Sequence, residues 1–178
     1  MLEHFFSPKT VAVVGASREE GKVGHDLFKN LVNHGYKGKI YPVNPHADNI
    51  LGIKTYTALK EIPDKIDLAV IVVPAPYVGK TVDECIEKGI DSIIVISAGF
   101  KESGIDGAAR ERELYQKIKQ HSIRMLGPNC LGLIDTQSAL NASFAADMPV
   151  PGNIAFFSQS GALCTSILDW AVNECIGF

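Results

Sequence analysis

Short apolar runs, each followed by a longer segment with helical spacing, constrain this chain more than any other feature of it. Thr10–Gly15 (TVAVVG) reads as a first strand. In Val23–His34, residues Val23, Leu27, Phe28, Leu31 and Val32 share one helical face, and Gly35 stops the helix. Lys39–Val43 (KIYPV) is a second strand. Asp67–Val73 (DLAVIVV) is almost continuously apolar, as expected of a strand covered on both faces. Pro76–Lys88 reads as a helix with proline in its first turn and Gly89 past its end. Ser92–Ser97 (SIIVIS) is another buried strand, Gly107–His121 a polar-faced helix, and Ile123–Leu126 a short strand.

Strands alternating with helices predict an α/β fold with a Rossmann-like parallel sheet. Residues 1–130 are read as that domain and residues 131–150 as a connector with short extended pieces, broken at Pro149–Gly152. Asn153–Ser158 (NIAFFS) then reads as a strand and Ser160–Cys175 as a helix, with Leu163, Ile167, Trp170 and Ala171 apolar. One strand and one helix cannot bury their faces alone. Residues 151–178 are therefore read as the first strand–helix unit of a second, flavodoxin-like domain that is cut short, rather than as an extension of the first sheet.

Net charge of −3 gives no general basic field for nucleic acid. No apolar run reaches the roughly 18 residues that span a bilayer, and the start carries Glu3 before any apolar stretch, unlike a secretory signal. Cys85, Cys130, Cys164 and Cys175 form no CxxC pair, which points to reduced thiols in a cytoplasmic protein and to no metal site.

Ligands of parallel sheets sit at the carboxyl ends of the strands, near the topological switch point. Each such place here holds an unusual motif. After the first strand comes Gly15-Ala-Ser-Arg-Glu-Glu-Gly-Lys-Val-Gly24, which opens a helix. A helix N-terminus favours an anion, and Ser17, Arg18 and Lys22 add a hydroxyl and two charges. Asn44 and Pro45 end the second strand, and Val73-Pro74-Ala75-Pro76 makes a stiff corner after the next. Ser97-Ala98-Gly99-Phe100 lets a ligand approach the backbone closely. Gly127-Pro-Asn-Cys-Leu-Gly132 carries an amide and a thiol, and Ser158-Gln159-Ser160-Gly161-Ala162 repeats the anion-site pattern. Taken singly, several of these are ordinary turns.

A dinucleotide cofactor is the obvious competitor. The first loop is not GxGxxG, since Ser17 stands at the second glycine, and the second strand ends without an Asp or Glu for a ribose hydroxyl. Neither departure weakens the case for coenzyme A, whose 3′-phospho-ADP end carries several anionic groups.

In order, GASREEGKVG, YPVNP, VIVVPAP, ISAGF, GPNCLG and PGNIAFFSQSGAL resemble the motifs of NDP-forming acyl-CoA synthetases, most of all the ADP-forming acetyl-CoA synthetase group and more distantly the succinyl-CoA synthetase α subunit. The resemblance implies that Ser17, Arg18, Lys22, Val23 and Gly24 hold CoA phosphates and that Asn44 and Pro45 flank the nucleotide. It implies that Val73, Pro74, Ser97, Ala98 and Gly99 line the nucleotide and pantetheine path, with Asn129 and Cys130 near the thiol. Cys130 is expected to shape the site rather than to act as a nucleophile. Ser158, Gln159, Ser160 and Gly161 would start the second domain, facing a phosphohistidine or acyl phosphate.

The family's phosphorylated histidine has no match among His4, His25, His34, His46 and His121, which are read as surface or packing residues, and no catalytic residue is assigned to this chain. No P-loop pattern is present. ATP, ADP and Mg would belong to an ATP-grasp domain or subunit of a full, oligomeric enzyme, so this chain is expected to bind CoA without turnover. The alternative is a stand-alone or regulatory CoA-binding module, including the ligase-like part of a protein acetyltransferase.

Overall fold

The computed structural model describes residues 2–178. A short helix α1 (Glu3–Phe6) leads into β1 (Thr10–Val14), α2 (Val23–Asn33) and β2 (Lys39–Val43). A small hairpin, β3 (Asn49–Ile50) and β4 (Ile53–Lys54), precedes β5 (Leu68–Ile71) and α3 (Ala75–Lys88). Then come β6 (Ser92–Val95), α4 (Ile105–Gln120) and β7 (Arg124–Leu126), a second hairpin of β8 (Gly132–Asp135) and β9 (Leu140–Ser143), and α5 (Gly161–Asn173).

Five strands form one sheet in the order β2-β1-β5-β6-β7, every neighbouring pair parallel. The chain steps from β1 outward to β2, then crosses back to lay β5 on the other side of β1. That reversal makes the gap between β1 and β5 the switch point.

The apolar runs follow from burial on both faces. Side chains of a strand alternate sides, and here each side has its own core. Ala12, Val14, Ala69, Ile71, Ile93 and Val95 pack with Val78, Val82 and Cys85 of α3 and Leu114 and Ile118 of α4. Val11, Val13, Leu68, Val70, Ile94 and Ile96 pack with Leu27, Phe28 and Leu31 of α2. Each Val, Leu, Ile or Phe among them contributes about 1.5–3 kcal/mol by leaving water, and the two alanines less.

Leu140 and Ala142 of β9 also belong to the second core, at 0% exposure, so the hairpin in the expected connector is buried against α2. Asn30 of α2 fastens it by donating from Nδ2 to the carbonyls of Ser143 at 2.9 Å and Ala145 at 2.8 Å.

The expected strand at Asn153–Ser158 does not form. A strand is defined by hydrogen bonds to a neighbour, and among the described residues none pairs with this run. The pairing lies just upstream instead. Phe178 N–H donates to the Val150 carbonyl at 3.1 Å, and Gly152 N–H donates to the Phe178 carbonyl at 2.8 Å, the pattern by which parallel strands pair. The expected helix does form, with Ser160 as its N-cap accepting from Leu163 N–H at 3.3 Å. Its apolar Leu163 and Trp170 are about half exposed.

Candidate functional site

At the switch point the backbone of the first loop touches the neighbouring strand. Gly15 takes φ +94°, and a Cβ on it would stand 2.6 Å from the Val72 carbonyl oxygen. Only glycine meets both demands. The loop is then held by its own side chains. Ser17 Oγ accepts the Glu19 N–H at 3.0 Å, Arg18 Nη2 donates to the His46 carbonyl at 3.3 Å, and exposed Lys22 pairs with Glu19 at 2.7 Å. Lys22 is the N-cap of α2, which places Val23 and Gly24 in its first turn.

Sequence reasoning set His25 aside, and it is a packing residue with a specific duty. It is buried, and its Nδ1 lies 3.1 Å from the Ser17 carbonyl oxygen. A carbonyl can only accept, so Nδ1 carries the proton and pins the loop from beneath.

The polar groups of the other loops are also engaged. Asn44 donates from Nδ2 to the Ala16 carbonyl at 2.8 Å and accepts the His46 N–H at 2.8 Å, joining the ends of β1 and β2. Ser97 Oγ donates to the Val73 carbonyl at 2.5 Å, and Asn129 N–H donates to the Ser97 carbonyl at 3.0 Å. These bonds lock the ends of β5, β6 and β7 together. Cys130 Sγ donates to the Val95 carbonyl at 3.4 Å. Burial pushes its thiol up to about 11, so it is protonated and poorly nucleophilic near neutrality.

Above these loops opens a cleft of about 760 Å³. It brings together Val23, Val73, Pro74, Ser97, Ala98, Asn129 and Cys130 with Gln159 and Gly161 from the start of α5. Ser17, Arg18, Lys22, Gly24, Asn44, Pro45, Gly99, Ser158 and Ser160 are not on its wall. Ser17, Arg18 and Lys22 lie in the loop that leads to Val23 on the wall, and Ser158 Oγ, next to Gln159 on the wall, accepts the Ser160 N–H at 3.0 Å.

Sequence reasoning missed Val72, Ile96, Leu131, Phe144 and Thr165 as wall residues. Thr165 sits one turn past Gly161, so helical spacing could have pointed to it. Phe144 follows β9, and no local signal connects it to the strand ends.

A smaller hollow of about 200 Å³, lined by Asp91, His121 and apolar neighbours, lies at the amino ends of β6 and β7, the wrong end of a parallel sheet for a ligand. Among the described residues no group of three or more His, Cys, Asp or Glu is placed to hold a metal ion, and no helix is long and apolar enough to cross a membrane.

The chain is 49% identical over 177 residues to acetate–CoA ligase [ADP-forming] I of Archaeoglobus fulgidus, covering 99% of this chain and 26% of that protein. It is 44% identical to the α subunit of acetate–CoA ligase [ADP-forming] II of Pyrococcus furiosus, covering 100% of this chain and 38% of that subunit. A solved structure of the dinucleotide forming acetyl-coenzyme A synthetase 1 of Ca. Korarchaeum cryptofilum, in complex with phosphate and ADP, is similar with a TM-score of 0.94 at 42% identity, over 99% of this chain and 38% of that one. The chain thus spans between about a quarter and two-fifths of the length of these relatives. The CoA binding domain family matches residues 9–136, which hold the whole parallel sheet and the loops at its carboxyl ends, and the chain belongs to that family.

Proposed function

We propose that this chain is the CoA-binding portion of an ADP-forming acid–CoA ligase, with acetate the acid suggested by its relatives. The observation that carries the reading is the cleft itself. Its floor is the strand-end loops of a CoA-binding domain, and its far wall is the capped N-terminus of α5.

In this reading Ser17, Arg18, Lys22, Val23 and Gly24 hold the nucleotide phosphates, against the free N–H groups at the start of α2. Asn44 and Pro45 flank the nucleotide. Pantetheine runs along Val73, Pro74, Ser97, Ala98 and Gly99, and its thiol reaches Asn129 and Cys130. Ser158, Gln159, Ser160 and Gly161 present the second helix N-terminus to the phosphoryl group of an acyl phosphate, whose acyl carbon is then attacked by the CoA thiol. The net reaction is reversible and interconverts acyl-CoA, ADP and phosphate with acid, CoA and ATP. A histidine outside these residues carries the phosphoryl group to and from the nucleotide. ATP, ADP and Mg sit on an ATP-grasp domain or subunit, the assembly is oligomeric, and it works in the cytoplasm. Residues 1–130 are the CoA domain, 131–150 the connector and 151–178 the beginning of the second domain; the parallel pairing of Phe178 beside Pro151, across α5, supports that division.

Isothermal titration of the purified chain with CoA tests the proposal. Saturable binding is expected, weakened about tenfold or more by Arg18→Ala or Lys22→Ala, the loss of one charge-assisted phosphate contact. No binding at about 1 mM CoA, equivalent to only about −4 kcal/mol, or tighter binding of NADH than of CoA, overturns it.

A further inference from the structure

The corner Ser97–Phe100 leads from β6 into a tight turn at Lys101–Ser103. Glu102 folds back over this corner. One carboxylate oxygen, Oε1, accepts the Gly99 N–H at 2.6 Å and the Phe100 N–H at 3.1 Å. From the first half of α4, Arg110 Nη1 donates to the Gly99 carbonyl. The backbone of Gly99 is thus held at its N–H by an anion and at its carbonyl by a cation, both charge-assisted bonds of the stronger kind.

On one side of Gly99, Ser97 and Ala98 stand on the cleft wall, with Ser97 bonded to the ends of β5 and β7. On the other, the Phe100 ring is fully buried. Gly99 thus lies between a residue anchored in the core and two residues on the cleft wall, and Glu102 and Arg110 fix the peptide groups on either side of it. Neither side chain is on the cleft wall.

We propose that Glu102 and Arg110 are positioning residues for the CoA site: by gripping Gly99 they set Ser97 and Ala98 against the bound ligand. This rests on the CoA reading above. Titration of the wild-type chain with CoA comes first, and its failure refutes that reading rather than this one. With wild-type binding established, Glu102→Ala and Arg110→Met are each expected to weaken CoA about tenfold. The double variant should lose much less than the product of the two, because both act on one residue's backbone. Glu102→Gln keeps an acceptor at the same place and should stay within about threefold of wild type. Glu111→Ala is the control, since Glu111 accepts only the Lys101 N–H, at 3.0 Å, outside the corner; it should bind CoA as wild type does. Wild-type affinity in Glu102→Ala, an equal loss in Glu111→Ala, or no recovery in Glu102→Gln overturns the proposal. Should Glu102→Ala not fold, Arg110→Met against Glu111→Ala decides in the same way.

Discussion

Gly24 in the first turn of α2 lies so close to Gly15 that a Cβ on it would stand 2.1 Å from the Gly15 carbonyl oxygen. The helix therefore starts in contact with the end of β1, and this contact presents its first N–H groups at the switch point. Gly24→Ala must push α2 and the loop apart. Overpacking of this kind costs about 1–3 kcal/mol, and urea unfolding should show it. CoA affinity, followed by titration, should fall further than with the corresponding change at Gly79 of α3, where an added Cβ would have nothing within 4 Å and the backbone is helical. Equal effects at the two positions would remove the loop-packing argument.

Asn30 joins segments more than a hundred residues apart, through two buried bonds to Ser143 and Ala145. Asn30→Ala leaves both carbonyls without their donor. A loss of about 2–3 kcal/mol is expected, most of it the cost of unpaired buried polar groups. The midpoint of urea denaturation measures it. A change below about 0.5 kcal/mol, the range of ordinary surface substitutions, would mean that the hairpin is not fastened by this residue.

The Cys130 thiol, raised to about 11, should alkylate slowly at neutral pH and faster as pH rises toward that value. Peptide mapping after iodoacetamide treatment should find exposed Cys175 labelled first. Cys130→Ala should keep most CoA affinity, as befits a wall residue. Rapid labelling of Cys130 at pH 7 would contradict the half-buried, protonated thiol.

The carboxyl of Glu102 is held below the usual carboxylate range, first by the Gly99 N–H, then against a smaller opposing effect of burial, and with help from the Phe100 N–H. A depressed folded-state value stabilises the fold above the unfolded value of about 4.3, and the stabilisation is lost as pH falls through the folded one. Chemical denaturation between about pH 5.5 and 3 should therefore show a steeper loss for wild type than for Glu102→Gln. The side chain is largely exposed, so the difference should be small and should shrink in salt. Identical slopes would refute the carboxylate's role at the corner.

Much of this was legible in the chain. Ala12, Val13 and Val14 are apolar without alternation because each side of β1 faces a different core, and such a run reads as a doubly covered strand. The loops after β1, β2, β5, β6 and β7 were legible for the same reason, since strand ends locate them. Asn153–Ser158 misled, because apolar content marks what can be a strand while pairing decides what is one. His25, Glu102 and Arg110 carried no signal, since each matters through a backbone group that only folding brings near.

Local periodicity alone determined the strands, the helices and the glycine-bearing loop between β1 and α2, because side-chain spacing and glycine conformations act over a few residues. The strand order, with β1 set between β2 and β5, was decided only in three dimensions. So was the meeting of Val73, Ser97 and Cys130 with Gly161 across one cleft, because such contacts depend on which distant elements share a core, and no local pattern in the chain encodes that choice.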